Sequence, residues 1–233
     1  MKKIILVVVT FCACLTACGG TKENYALVET AYDNLRSKDE ISYEVQYTLG
    51  QESETQTYVV NQQGDDWSYE LYIGTDMLLQ ERKYEKGNQY VRYNGGQWLQ
   101  DSVEYKLSFL DEILVDSSQI EHVVVHDKDV TEIVITLNQK ALDEMRNTAI
   151  LLGEEAINNL INMGASDDAI NAQKEHNLLL ERTTYHNDER KYYMDENGVL
   201  IKYMRTVMLE QPNMENELEE ERIEIIISVN AYE

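Results

Sequence analysis

The residue whose chemistry is plainest is Cys18. It closes the run Leu15-Thr16-Ala17-Cys18, followed by Gly19-Gly20. Upstream lie Met1-Lys2-Lys3 and an apolar stretch from Ile4 to Cys14. A basic start, a short apolar run and a small-residue site are the three parts of an export signal. The apolar run is too short to span a bilayer, which takes ~20 residues. The four-residue run has the form of a lipobox: the Cys18 thiol takes a diacylglyceryl group, and the chain is cut just before it. Thr16 and Ala17 are small enough for that cleavage. Cys12 and Cys14 leave with the signal, so the processed chain keeps one cysteine, its sulfur used by the lipid. Disulfides and cysteine metal sites are thereby excluded, although the compartment is one where disulfides persist. Two acyl chains anchor stably where one does not.

No other residue set carries a comparable chemical signature. His122, His126, His176 and His186 lack the H-E-x-x-H spacing of a zinc protease, and His122 and His126 straddle a strand end rather than a helix face. Asp127-Lys128-Asp129 and Asp195-Glu196-Asn197-Gly198 read as hairpin turns, since neither continues into a calcium loop with a closing Glu. With 43 acidic residues in the chain, a chance pair of carboxylates at glycosidase separation carries no weight. There is no Gly-x-Ser-x-Gly elbow and no Gly-rich phosphate loop. The chain reads as no enzyme and as needing no cofactor and no metal.

Charge excludes further classes. The formal net charge is −23, and losing Lys2 and Lys3 makes the remainder more negative. Nucleic acid is a poor partner for such a surface, and so is direct adsorption to anionic lipid. Solubility and repulsion from an anionic envelope are the expected effects. Aromatic usage is skewed to sixteen Tyr against two Trp and two Phe, with a single proline, Pro212. Tyr favours strands and half-buried faces; the same rings also suit a sugar-stacking platform.

The elements that would position these residues alternate regularly. Residues 22–38 form an amphipathic helix with Tyr25, Val28, Tyr32 and Leu35 on one stripe. Strands are expected at 41–49, 55–62, 67–73, 77–85 and 89–93, separated by short Gly- and Asn-containing turns, the pattern of an antiparallel meander. Trp98 follows the last turn. A short helix is expected after Asp101-Ser102, with Val103, Leu107, Leu110 and Leu114 on one face. Strands 119–125 and 130–137 come next. Asn138 then caps a longer helix striped by Leu142, Met145, Ala149, Leu152, Ala156, Leu160 and Met163, and Ser166 caps a second. The chain returns to strands at 177–185, 191–195, 199–209 and 221–231, with an acidic loop at 211–221.

This order, together with Tyr93-Asn94-Gly95-Gly96-Gln97-Trp98, resembles a group of lipoproteins from Gram-positive bacteria related in fold to the LolA/LolB and LppX-type lipoprotein carriers. The resemblance covers most of residues 22–233. It implies an α+β, mainly antiparallel β fold: an incomplete, half-open barrel of about eleven strands covered by amphipathic helices. It also implies a concave sheet that holds an acyl chain beneath a helical lid, and it brings no catalytic residue. The stripes at 25–35, 103–114 and 142–163 are suitable covers.

The expected organisation is a signal at 1–17, a lipidated tether at 18–21 and a single domain at 22–233, with a helical insertion at about 138–175. The expected location is the extracytoplasmic face of the cell membrane, held by lipid on Cys18. The expected function is binding of a lipid or other apolar or amphiphilic ligand between sheet and helices. Tyr69, Leu71, Leu79, Trp98, Met204 and Met208 are candidate ligand residues, methionine being adaptable to varied apolar shapes. The alternative is a structural, interaction or envelope-sensing lipoprotein with a solid core and no small-molecule ligand.

Overall fold

The structure, a computed structural model, describes residues 21–50, 55–74, 76–101, 105–127, 130–213 and 217–233. The signal and Cys18, with Val103 of the expected short-helix stripe, lie outside the described residues.

Eleven antiparallel strands form one sheet in the order β6-β5-β4-β3-β2-β1-β11-β10-β9-β8-β7. They are β1 (Glu40–Leu49), β2 (Gln56–Gln63), β3 (Asp66–Ile73), β4 (Met77–Glu85), β5 (Asn88–Tyr93), β6 (Leu99–Gln100), β7 (Ile120–Asp127), β8 (Thr131–Leu137), β9 (Thr184–Met194), β10 (Leu200–Pro212) and β11 (Leu218–Tyr232). The two edges, β6 and β7, do not pair, so the sheet stays half open. Among the described residues three α-helices accompany it: α1 (Thr21–Arg36), α2 (Gln139–Asn162) and α3 (Asp167–Arg182).

Alternation sets the faces. In β1, Ile41, Tyr43 and Val45 are buried between half-buried neighbours. The register carries that face across the sheet: Val45 opposes Tyr58 and Ile227, and Ile227 opposes Tyr203. α1 presents Tyr25, Val28, Ala31 and Leu35 to this concave face, with Tyr32 only partly buried. Asn34 Nδ2 donates to Gly198 O in the β9–β10 turn, so the C-terminal end of α1 lies there.

Several expectations are corrected. The segment 105–116 is not helical. Over 105–109 its burial alternates with period two: Tyr105, Leu107 and Phe109 turn inward, while Lys106 and Ser108 are exposed. An extended chain satisfies that pattern; turns follow, with Asp111 N donating to Ser108 O and Ile113 N to Leu110 O, and they bury Leu110 and Ile113. The segment carries the chain from β6 to β7, the two open edges. The strand expected at 177–185 is mostly α3, because the helix capped by Ser166 continues through the leucine run to pack Asn177 against α2. β9 is one unbroken strand across 184–194, and β6 is a short additional strand. The loop at 211–221 is shorter than expected: β10 reaches Pro212 and β11 starts at Leu218.

The long helical stripe also divides. Asn138 and Ser166 do cap, accepting from Ala141 N and Ala169 N. Ala141 and Leu142 are buried at the base, but Leu152 and Met163 are 60% and 80% exposed. α2 packs mainly on α3, and the sheet is met by α2 at β9 and by α3 at β10. The pair is therefore a hairpin that touches the sheet rather than a lid along its length.

Candidate functional site

Two features occupy the concave side, and a groove lies at one end of the sheet. The first is a strip of aromatic rings. Tyr47, Tyr58, Trp67 and Tyr69 come from β1, β2 and β3, whose register places them on one face. Phe109 of the crossing segment sits 4.8 Å from Tyr58, 6.3 Å from Tyr47 and 6.4 Å from Tyr69, centroid to centroid. Tyr105 lies 5.8 Å from Trp67 and 5.7 Å from Tyr69. Such tilted and edge contacts are the favoured aromatic geometries. Burial raises the pKa of the Tyr43, Tyr47 and Tyr69 phenols well above the usual value.

The crossing segment is fastened at its two ends. Gln89 Nε2 donates to Tyr105 O at 2.6 Å, and Tyr105 N donates to Gln89 Oε1 at 2.8 Å. At the far end, Arg190 Nη1 donates to Glu112 O, the Tyr192 hydroxyl donates to Ile113 O, and Tyr25 bonds both backbone groups of Val115. Between those ends, Leu107, Phe109 and Leu110 pack by apolar contact.

The second feature is an open groove of about 410 Å³ at one end of the sheet. It lies where β1 and β3 begin and where β2, β4 and β11 end. Its lining combines the cross-strand row of Ile41, Gln62, Trp67 and Tyr84 with Ser42, Asn61, Ser68 and Lys83, which face the other side of the sheet, and Glu40, Asp66 and Glu85 make it acidic. The Trp67 ring stacks at 5° on Tyr69 and at 15° on Tyr84.

The third feature is ionic and lies deeper, on β9 and β10. Asp188 is fully buried and accepts from Arg190 Nε at 3.2 Å and from Arg205 Nη2 at 2.7 Å. Tyr203 packs beside it against Tyr192, centroids 5.2 Å apart. Its phenol pKa is pushed up to about 12 by burial, against the opposing pull of Arg190 and Arg205.

The expected ligand residues divide between the two faces. Tyr69 and Leu71 are buried on the concave face, and Leu79 packs partly buried against the same core beside a β-bulge. Trp98, Met204 and Met208 stand on the opposite face. Trp98 is 37% exposed, with the Arg92 guanidinium 4.6 Å and the Lys83 ammonium 5.3 Å from its ring centre. Met204 opposes Ile226 and Met208 opposes Arg222, one position out of phase with Tyr203 and Val207, which are buried. Sequence reading missed Tyr58, Trp67, Phe109 and the Asp188–Arg190–Arg205 cluster. Their signal was parity: Trp67, Tyr69 and Leu71 alternate, as do Tyr105, Leu107 and Phe109. Among the described residues, no group of three or more His, Cys, Asp or Glu side chains is placed to hold a metal ion.

No protein-family model and no curated protein matches the sequence. Among solved structures, the chain is similar to the lipoprotein LppX of Mycobacterium tuberculosis, at 11% identity over 91% of this chain and 95% of that one, TM-score 0.48. It is similar also to LprF of Mycobacterium bovis, at 7% identity over 91% and 93%, TM-score 0.41. A DUF1329 family protein of Desulfovibrio piger gives 11% identity over 92% and 95%, TM-score 0.27. These neighbours include the LppX type of lipoprotein that the sequence resembles.

Proposed function

We propose that this chain is an extracytoplasmic lipoprotein, anchored through lipid on Cys18, that holds the apolar part of an amphiphilic ligand on the concave face of its sheet. Residues 22–233 act as one domain, and the ligand lies along Tyr47, Tyr58, Trp67 and Tyr69. The observation that carries the reading is the cover over that strip. It is a segment bonded to the sheet and α1 at 105 and at 112–115, with Leu107 and Phe109 held between by side-chain packing alone.

Magnitudes favour exchange of this cover. Burying one methylene contributes ~0.8 kcal/mol, so a ten-carbon chain contributes roughly 8 kcal/mol. Lifting Leu107 and Phe109, both only partly buried, costs less than the ~1.5–3 kcal/mol of a fully buried side chain for each. Anchoring rests on the signal, the lipobox and the three-residue distance from Cys18 to the start of α1.

The test is native mass spectrometry of the chain from residue 19 onward, mixed with a monoacylglycerol. A single bound amphiphile is expected, reduced when Tyr58 is replaced by Glu in a variant that still folds. Apo mass alone would contradict the reading.

A second reading has one specific observation in its favour. Leu110 and Ile113 are 2% and 0% exposed, so the far half of the crossing segment is built into the core. The chain would then be an interaction or envelope-sensing lipoprotein with a permanently filled interior, and apo mass alone is what that reading expects.

A further inference from the structure

A buried ionic cluster lies on β9 and β10. Two guanidinium groups, Arg190 and Arg205, share one carboxylate, Asp188, in a chain otherwise dominated by acids. The side chains are 7%, 15% and 0% exposed, respectively. Taking unpaired charge out of water is costly, so an excess of buried positive charge calls for a counter-charge. The second acid that acts on Tyr203 is Glu112, whose side chain is exposed.

An independent observation lies in the same place. The Tyr203 hydroxyl is buried and has no hydrogen-bond partner among the described residues. Arg146 Nε, on the residue next to Met145, is likewise buried without one. Met145 Sδ is 3.5 Å from Arg205 Nη2, which places this stretch of α2 over the cluster. A buried donor left unmade loses its full solvation and recovers nothing. Tyr203 thus holds a spare donor beside two guanidinium groups that share one carboxylate. An anionic oxygen accepts from that donor and offsets the positive charge; a neutral carbonyl accepts but offsets nothing, and an ammonium group does neither.

We propose that Tyr203 and Arg205, backed by Arg190, receive the anionic oxygen of the ligand, a carboxylate or phosphate, beneath the first turns of α2. This rests on the concave face being the ligand site and adds the charge of the head group. Asp188 holds the two guanidinium groups apart and oriented, and Met145 is the adaptable side chain that yields to the incoming group.

Affinities of the chain from residue 19 onward are measured by calorimetry for decanoate, for its glycerol ester and for inorganic phosphate, in wild type, Tyr203→Phe and Arg205→Gln. Decanoate should bind at least about tenfold more tightly than the ester, the difference made by one charge-assisted hydrogen bond. Tyr203→Phe removes only the orphan hydroxyl, so folding should survive it, and the decanoate-to-ester ratio should fall about tenfold. Arg205→Gln should lower the ratio further. Equal affinity for both amphiphiles in wild type overturns the anion site and leaves the apolar site standing. A decanoate preference retained by both variants overturns it too. Binding of phosphate with the same dependence on Tyr203, and of neither amphiphile, keeps the anion site for a free anion and removes the amphiphile reading. Binding of none of the three removes both.

Discussion

The phenol of Tyr25 donates to Val115 O at 2.8 Å and accepts from Val115 N at 2.8 Å, so one hydroxyl of α1 satisfies both backbone groups of a residue ninety positions away. This ties α1 to the far end of the crossing segment. Tyr25→Phe leaves both groups of Val115 without that partner, at a cost of about 1–3 kcal/mol. The thermal midpoint should fall, and amide exchange at 112–115 should rise ahead of the rest of the core. Unchanged exchange there would mean that packing alone holds the segment.

The helical hairpin depends on one glycine. A Cβ at Gly153 would lie 1.9 Å from Asn177 Oδ1. In an exposed helix interior, Gly→Ala stabilises by about 1 kcal/mol. Here Gly153→Ala should destabilise the hairpin instead, by forcing α2 and α3 apart. Adding Asn177→Ala should restore most of the loss, because the clash goes and so does a buried carbonyl oxygen with no hydrogen-bond partner. A double variant no more stable than Gly153→Ala in a melting series would refute the contact.

Alkaline unfolding follows from the buried phenols. Burial raises the pKa of Tyr43, Tyr47, Tyr69, Tyr192 and Tyr203, the last to about 12. A raised folded value means the stability contribution is complete below the unfolded pKa of about 10 and is lost as pH climbs through the folded values. Denaturant stability should therefore decline from about pH 10 upward. Tyrosinate absorbance should rise in two steps, exposed rings first and these rings only with unfolding. A single step near the ordinary value would contradict the burial.

The opposite sign applies at the β9–β10 turn. Asp195 has its pKa lowered: burial opposes ionisation, but bonds from the Tyr232 hydroxyl, Val199 N, and the side chain and backbone of Asn197 outweigh it. Its contribution is present above the unfolded value of about 3.9 and disappears as pH falls through the depressed one. The stability gap between wild type and Asp195→Asn should be open at pH 7 and close on acidification. A gap independent of pH would show that the carboxylate charge is idle.

Strand positions were legible where one face is apolar and the other polar, as with Tyr43, Val45 and Tyr47 in β1. They were not legible where both faces are apolar. In β10, Tyr203 and Val207 alternate with Met204 and Met208, and either pair satisfies the pattern. Bulges at Leu200/Lys202 and Met208/Leu209 shift the phase again, so only cross-strand register decides which side is concave. The segment 105–115 misled for a related reason. Leu107, Leu110 and Leu114 fit a helical period, whereas Tyr105, Leu107 and Phe109 fit period two; the chain is extended over the second set and then forms turns that bury Leu110 and Ile113. Leu178-Leu179-Leu180 read as a strand because an unbroken apolar run carries no period at all; packing of Asn177 on α2 decides it. The Asp188–Arg190–Arg205 cluster joins residues from two strands, and local sequence says nothing about such a meeting.

The central claim is that an acyl chain takes the place of Leu107 and Phe109 on the concave face. Hydrogen exchange of the chain from residue 19 onward, with and without saturating monoacylglycerol, tests it most directly. Exchange at 106–109 and at Asp111, whose amide donates to Ser108 O, should rise on binding, while β2 and β3 stay protected and Tyr105 remains clasped by Gln89. Binding that leaves these amides as protected as before, or no binding at all, would contradict the account.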